Sequence, residues 1–220
     1  MEYQQHQQLE FTDALSINKV LRNTYAMLAM TLTFSAVCSG IAMAMGISSL
    51  TGLLLALGGI ATLFLLRKTQ DSAAGIPTVF LFTGLMGASI GPLLNRYAAM
   101  PNGSELIMQA MGGTAIIFFA LSAYVLTTKK NFSFMGGFLF VGLMVALVAM
   151  IANIFFQIPA LQLAINAVIV LLMSGFILYD TSNIIHGGET NYLRATVSLY
   201  LNILNLFTSL LSLLGATNDD

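Results

Sequence analysis

Charge is scarce in this chain of 220 residues: Asp, Glu, Lys and Arg make up 8% of it, whereas 57% of the residues are hydrophobic. A soluble domain of similar size carries about 25% charged residues. With so few charges the chain could not cover its surface in water, which excludes a soluble globular protein. Nothing in the sequence indicates nucleic-acid binding, so we expect no partner of that class.

The residues that carry most metal and covalent chemistry are also nearly absent. Cys38 is the sole cysteine, so no intramolecular disulfide can form, and two histidines without a cysteine partner do not make a zinc site. His186 lies in IIHGGET, which is not the HExxH motif of metalloproteases. We find no nucleophile paired with a base. We therefore expect neither an enzyme nor a bound metal or cofactor.

Long apolar stretches, in contrast, fill most of the chain. A membrane-spanning helix needs about 20 mostly apolar residues. The sequence predicts an all-α polytopic membrane protein, a bundle of seven transmembrane helices over residues 19–216, after a flexible polar tail at 1–18. The seven predicted spans are residues 25–45, 49–66, 76–94, 106–127, 134–156, 160–180 and 196–214.

Basic residues predict the orientation of these spans. If the chain crosses the bilayer at every run, seven of the eight lysines and arginines fall on one side. They are Lys19, Arg22, Arg67, Lys68, Lys129, Lys130 and Arg194. Only Arg96 falls on the other side. Because basic residues concentrate in cytoplasmic loops, we predict a cytoplasmic N-terminus and a C-terminus on the outer side of the membrane.

Glycines mark one surface of the third run. Gly84, Gly87 and Gly91 lie within it, and the last two form a GxxxG pattern. Small residues allow helices in lipid to approach closely, so we interpret these positions as packing contacts, with a hinge as the alternative. Pro92 is expected to bend the end of this run.

One carboxylate lies at membrane depth, and ionisable groups there are costly enough to be candidate functional residues. Asp180 ends the sixth run, with Asn183 one turn further on. Asn202 and Asn205 lie about two turns into the seventh run and share a helix face. Because a short loop joins the two runs, these helices should be antiparallel neighbours, and the four residues should form a polar patch near the cytoplasmic mouth.

Two interpretations of this patch remain open. It could be a gate or latch whose hydrogen bonds change when Asp180 takes up a proton. Alternatively, Asp180 is a structural carboxylate at the interface, held by the neighbouring amides or paired with Arg67 or Arg194.

Four segments resemble the transmembrane Bax inhibitor motif family, in particular its bacterial members. The most specific is YDTSNIIHGGETNYLRATVSLYLNILNLF at 179–207, which matches the family signature. The others are KVLRNTY at 19–25, GGTAIIFFALSAYVLTT at 112–128 and MIANIFFQIPALQLAI at 150–165. The resemblance implies a seven-helix bundle with the last helix in the centre, located in the bacterial inner membrane.

The resemblance also implies a partner. Bacterial members of this kind bind the membrane-bound AAA protease FtsH, are degraded by it slowly, and restrain its action on other substrates. Other members are proposed pH-sensitive calcium leaks, latched by two aspartates that would correspond to Asp180 and position 202. Because position 202 is asparagine here, two carboxyls cannot share a proton, which favours protease modulation over a calcium or proton leak. The oligomeric state stays open.

Two segments are candidates for contact with such a protease. Residues 1–18, fully extended, would reach on the order of 60 Å, enough to enter a nearby ATPase pore from the cytoplasm, although an ordinary disordered terminus is the alternative. The second candidate is the loop between runs 6 and 7, with His186, Gly187, Gly188 and Glu189. Its glycines could equally serve only to form a turn.

Overall fold

The computed structural model describes the backbone of residues 2–217 and the side chains of residues 17–217. Within these residues the chain forms eight α-helices and no strand, as the apolar runs predict. A single 3₁₀ turn, Ser133–Met135, leads into the sixth helix. The helices are α1 (Glu2–Ala44), α2 (Ser49–Thr69), α3 (Gly75–Ser89), α4 (Gly91–Ala98), α5 (Gly103–Thr128), α6 (Gly136–Phe156), α7 (Pro159–Ile185) and α8 (Tyr192–Ala216).

Within the described residues, seven helical segments are long and apolar enough to cross a membrane, which confirms the predicted number. Six of the segments each contain one helix, and in one of these the 3₁₀ turn precedes α6. The remaining segment, Gly75–Ala98, consists of α3 followed by α4. The helix breaks at Ile90, and Pro92 lies in the first turn of α4, where its missing N–H costs nothing. The helices extend beyond most of the predicted spans, because hydropathy marks only the hydrocarbon layer while the backbone hydrogen bonds continue into the interface.

The last helix lies in the centre of the bundle. It packs against α1, α3, α5 and α7, whereas α2 packs mainly on α3 and α6 packs on α7 at the periphery. Within the most apolar 18 residues of α8, 44% are buried, against 17% in α6. A helix that is surrounded by others in this way can bury polar groups that a lipid-facing helix could not.

Glycines on α3 and α4 allow α1 to approach closely. A Cβ added at Gly91 would come within 2.7 Å of the Ala42 Cβ, and one added at Gly87 would collide with the backbone oxygen and the hydroxyl of Ser35. Both glycines are therefore packing positions between helices, as the GxxxG pattern predicts.

The start of the first membrane-spanning segment (Ile17–Ala44) and the loops after α2, α5 and α7 lie at one end of the bundle. We call it the basic end because it holds the seven basic residues named above. In the loop after α5, Lys130 donates a hydrogen bond of 3.0 Å to Tyr124 Oη, which raises the pKa of its ammonium. The prediction of a flexible tail at 1–18 concerns mainly residues 1–16, whose side chains lie outside the described part, and it stays a prediction.

Candidate functional site

The Asp180 carboxylate lies between α7 and α8, near the basic end. Its Oδ2 accepts two hydrogen bonds from α8, one of 2.6 Å from Ser198 Oγ and one of 2.7 Å from Asn202 Nδ2. Ser198 and Asn202 are four residues apart, so both point from one face of α8 toward the same oxygen. Short bonds to a carboxylate are charge-assisted and stronger than neutral ones. We call these three residues the Asp180 site.

Ser198 was missed in the sequence analysis, although its spacing from Asn202 offers a signal. Asn205, in contrast, was expected in the patch and lies outside it. Its side chain is exposed and donates to the Leu201 carbonyl of its own helix at 2.8 Å. Residues three apart on a helix differ by about 60° in direction, which here turns Asn205 away from α7.

The remaining amide of the expected patch, Asn183, lies at the end of α7. Its backbone carbonyl accepts hydrogen bonds from the backbone N–H groups of Gly188 (2.8 Å) and Glu189 (3.2 Å). Gly187 has φ of +74°, a conformation that glycine adopts without strain. The two glycines of this loop therefore form the turn that ends α7.

Neither arginine pairs with Asp180 in the part of the chain whose side chains are described. Arg194 Nη2 instead lies 2.8 Å from Glu189 Oε1, an ion pair within the loop between α7 and α8. Arg67, in the last turn of α2, lines a cavity together with Arg194 and Ser198. Hydrogen bonds from α8, not an ion pair, therefore stabilise the Asp180 carboxylate in this conformation.

His186 connects two loops of the basic end. Its Nδ1 lies 2.8 Å from the Ser182 carbonyl oxygen, and its Nε2 lies 3.1 Å from the Lys129 carbonyl oxygen. Because a neutral imidazole donates only one hydrogen bond, only the doubly protonated ring can donate to both carbonyls. The backbone N–H of Phe132 also donates to Ser182 Oγ at 2.9 Å, which fixes the loop after α5 against α7.

A second polar centre, which sequence analysis did not find, joins three helices in the bundle interior. Tyr200 on α8 is fully buried, with its Oη 2.6 Å from Ser35 Oγ on α1 and 3.2 Å from the Thr83 carbonyl oxygen on α3. Its ring contacts Phe82 edge-on at 5.6 Å between centroids. This centre fixes α1 and α3 to the central helix at mid-span.

The fold and the Asp180 site define an integral protein of the lipid bilayer, a seven-helix bundle whose central last helix holds a carboxylate of the preceding helix. Residues 17–219 match the family model described as inhibitor of apoptosis-promoting Bax1. The chain therefore belongs to the Bax inhibitor family, which confirms the resemblance found in the sequence.

Several relatives match over nearly their whole length. The modulator of FtsH protease YccA of Escherichia coli K12 is 52% identical over 210 residues, 95% of each chain. An uncharacterized membrane protein of Vibrio cholerae is 53% identical over 207 residues, 94% of this chain and 93% of its own. An uncharacterized protein of Pseudomonas aeruginosa is 46% identical over 220 residues, 98% of this chain and 99% of its own.

The two asparagines of α8 provide a direct test of the Asp180 site. We expect Asn202→Ala to lower the free energy of unfolding by about 1–3 kcal/mol, because it removes a hydrogen bond to a carboxylate between helices. Asn205→Ala, the matched control, should change it by no more than about 0.5 kcal/mol. Equilibrium unfolding in mixed micelles measures both values, and equal effects of the two substitutions would contradict the assigned geometry.

Proposed function

We propose that this protein is a non-enzymatic partner of an FtsH-type membrane protease, which it occupies and restrains as a slowly degraded substrate. The observation that carries the proposal is the similarity, across 95% of both chains, to a relative named as a modulator of FtsH protease. Another relative of equal identity is named as an inner membrane protein. We accordingly place this chain in the bacterial inner membrane.

The proposed orientation puts the N-terminus in the cytoplasm and the C-terminus in the periplasm. It rests on the basic end, since lysine and arginine concentrate in cytoplasmic loops. In this orientation the residues before Ile17 extend toward the compartment that contains ATP, where an ATP-dependent protease could take hold of them. An N-terminal reporter that is active only in the periplasm would refute this orientation.

The membrane-spanning part of α1 (Ile17–Ala44) contacts its neighbours through polar groups at three depths, which supports slow extraction. Near the basic end, the Thr196 hydroxyl of α8, which donates to the Tyr192 carbonyl of its own helix at 2.7 Å, also lies 3.4 Å from the Thr24 carbonyl oxygen of α1. At mid-span, Ser35 bonds to Tyr200, and near the far end Asn95 of α4 donates to the Met43 carbonyl at 3.0 Å. A force applied to the tail must break all these contacts before α1 leaves the bundle, and the protease would stay occupied meanwhile.

Pull-down in detergent tests the partnership directly. We expect the full-length protein to retain FtsH and a variant lacking residues 2–15 to retain markedly less, because the tail starts the engagement. The matched control replaces residues 2–15 with a scrambled sequence of the same composition, which should still bind. Failure of the full-length protein to retain FtsH would refute the proposed function.

A pH-sensitive calcium or proton leak is the second candidate, favoured by one observation. Ser198 donates to Asp180 and also lines a cavity at the basic end. The Ser198 hydroxyl therefore connects the carboxylate to this cavity, through which a proton could reach it. The same cavity is lined by Arg67 and Arg194, whose positive charge opposes cation entry. Calcium flux into liposomes that is abolished by Asp180→Asn would favour the leak, and no flux would favour the protease partner.

A further inference from the structure

The cavity beside Arg67 has the chemistry of a binding site for one lipid headgroup. It occupies about 290 Å³ between the end of α2 and the start of α8, two helices that each pack on α3. Its polar wall consists of Arg67, Gln70, Arg194 and Ser198. The volume is close to the lower end of the range for small-ligand cavities, about 300 Å³, which suits a headgroup and not a whole lipid.

The charges around the cavity leave Arg67 available for an anion. Arg194 is paired with Glu189, and Asp71 Oδ1 accepts a hydrogen bond of 3.0 Å from Asn191. Asp180 forms no ion pair with Arg67 among the described residues, and its Oδ2 accepts two hydrogen bonds from α8. Among the residues with described side chains, Arg67 therefore lines the cavity without an ion-pair partner. A guanidinium in such a position matches a phosphate group, which it can bind with two parallel hydrogen bonds.

The polarity of the cavity changes along the membrane normal. Along α2 and its C-terminal cap it extends from Gln70 at the basic end to Leu63, a distance of about 10 Å at 1.5 Å per residue. On α8 it extends correspondingly from Arg194 to Leu201. A charged end near the membrane surface and an apolar end toward the lipid core fit an amphipathic ligand, whereas a free anion would leave the leucines without a partner.

A buried amide oxygen narrows the choice of headgroup. Gln70 Oε1 is buried and lacks a hydrogen-bond partner within the described residues. A buried acceptor without a donor is costly, and a hydroxyl of the ligand would satisfy it. We propose that this cavity binds the headgroup of phosphatidylglycerol from the adjacent leaflet, with the phosphate on Arg67 and a glycerol hydroxyl donating to Gln70. The proposal does not depend on the protease partner.

Native mass spectrometry of the full-length protein in detergent, with phosphatidylglycerol or phosphatidylcholine added, tests the proposal. We expect one phosphatidylglycerol to be retained preferentially. Arg67→Gln should weaken that binding about tenfold, because the amide that replaces the guanidinium lacks the charge for a charge-assisted contact with the phosphate. Lys68→Gln, the matched control, removes the same charge from the neighbouring exposed residue, which does not line the cavity, and should change binding less than twofold.

A second variant separates a built site from general surface charge. Leu63→Trp fills the apolar end of the cavity and leaves every charge in place, so we expect it to reduce phosphatidylglycerol retention as strongly as Arg67→Gln. Equal losses in Arg67→Gln and Lys68→Gln, or unchanged binding in Leu63→Trp, would overturn the proposal. Competition by millimolar inorganic phosphate alone would also overturn it, because the site would then be one for free phosphate.

Discussion

Deletion of residues 2–15 should lengthen the lifetime of this protein several-fold in cells with active FtsH. A protease of this kind must first thread a free cytoplasmic end. Residues 1–18 would reach on the order of 60 Å if extended, and even a continuous helix from Glu2 would project about 22 Å beyond Ile17. After the deletion only a few residues precede the span, too few to leave the headgroup layer. Pulse-chase measurement of the half-life tests the effect.

Two controls make this result specific. In cells depleted of FtsH, full-length and deleted proteins should decay at the same slow rate. A protein with residues 2–15 scrambled should decay like the original, because engagement depends on length and polarity and not on a particular motif. If the deletion leaves the half-life unchanged while FtsH is active, the tail has no part in engagement.

The fold was largely predictable, because its main determinant is a property of short sequence windows. Each bilayer crossing requires its own apolar run, so seven runs predict seven spans without knowledge of any contact. Proline at position 92 likewise marks the break in the third span by a local effect, because it lacks the N–H that a continuous helix would bond to the carbonyl four residues earlier. The ends of the helices were less predictable, since the apolar pattern stops at the interface while the hydrogen-bonded helix continues.

The polar contacts inside the bundle were only partly predictable. Asp180 and Asn202 were expected to meet because a short loop makes their helices antiparallel neighbours, and the structure places their side chains 2.7 Å apart. Asn205 satisfied the same argument and points elsewhere, because the rotation of α8 about its axis is set by packing on four other helices.

The Tyr200 centre could not be predicted at all from local patterns. Ser35 and Tyr200 are 165 positions apart and meet only because α8 occupies the centre of the bundle. In the sequence, a tyrosine and a serine within apolar runs look like ordinary members of membrane helices. Their pairing is a property of the tertiary arrangement, and under the proposed function α1 would be the helix whose attachment opposes extraction.

Gly87→Ala should weaken the attachment of α1 to the bundle, because Gly87 is the glycine of α3 at which an added methyl group meets the backbone of α1. The added Cβ would collide with the Ser35 backbone oxygen and hydroxyl and lie 2.8 Å from the Ser35 Cα. Backbone atoms cannot rotate away, so α1 must shift, and the hydrogen bond from Ser35 to Tyr200 must lengthen. Overpacking of this kind costs about 1–3 kcal/mol. Unfolding in mixed micelles should show this loss.

Gly40→Ala is the matched control, because a Cβ at this exposed position of α1 meets no atom within 4 Å. We expect it to leave stability unchanged or slightly higher, since alanine favours the helix. In cells with active FtsH, Gly87→Ala should shorten the half-life severalfold, whereas Gly40→Ala should not. The reason is that a loss of about 1.4 kcal/mol in stability corresponds to a tenfold increase in the unfolded population.

Combining Gly87→Ala with the deletion of residues 2–15 separates two steps: the engagement of the tail by the protease and the resistance of α1 to extraction. If the protease starts at the tail and is then opposed by α1, the combined variant should be as unstable in micelles as Gly87→Ala alone yet long-lived in cells. Rapid decay of the combined variant would mean that the protease enters elsewhere. A half-life of Gly87→Ala equal to that of Gly40→Ala, despite lower stability in micelles, would mean that attachment of α1 does not limit degradation, and the proposed mechanism of restraint would fail.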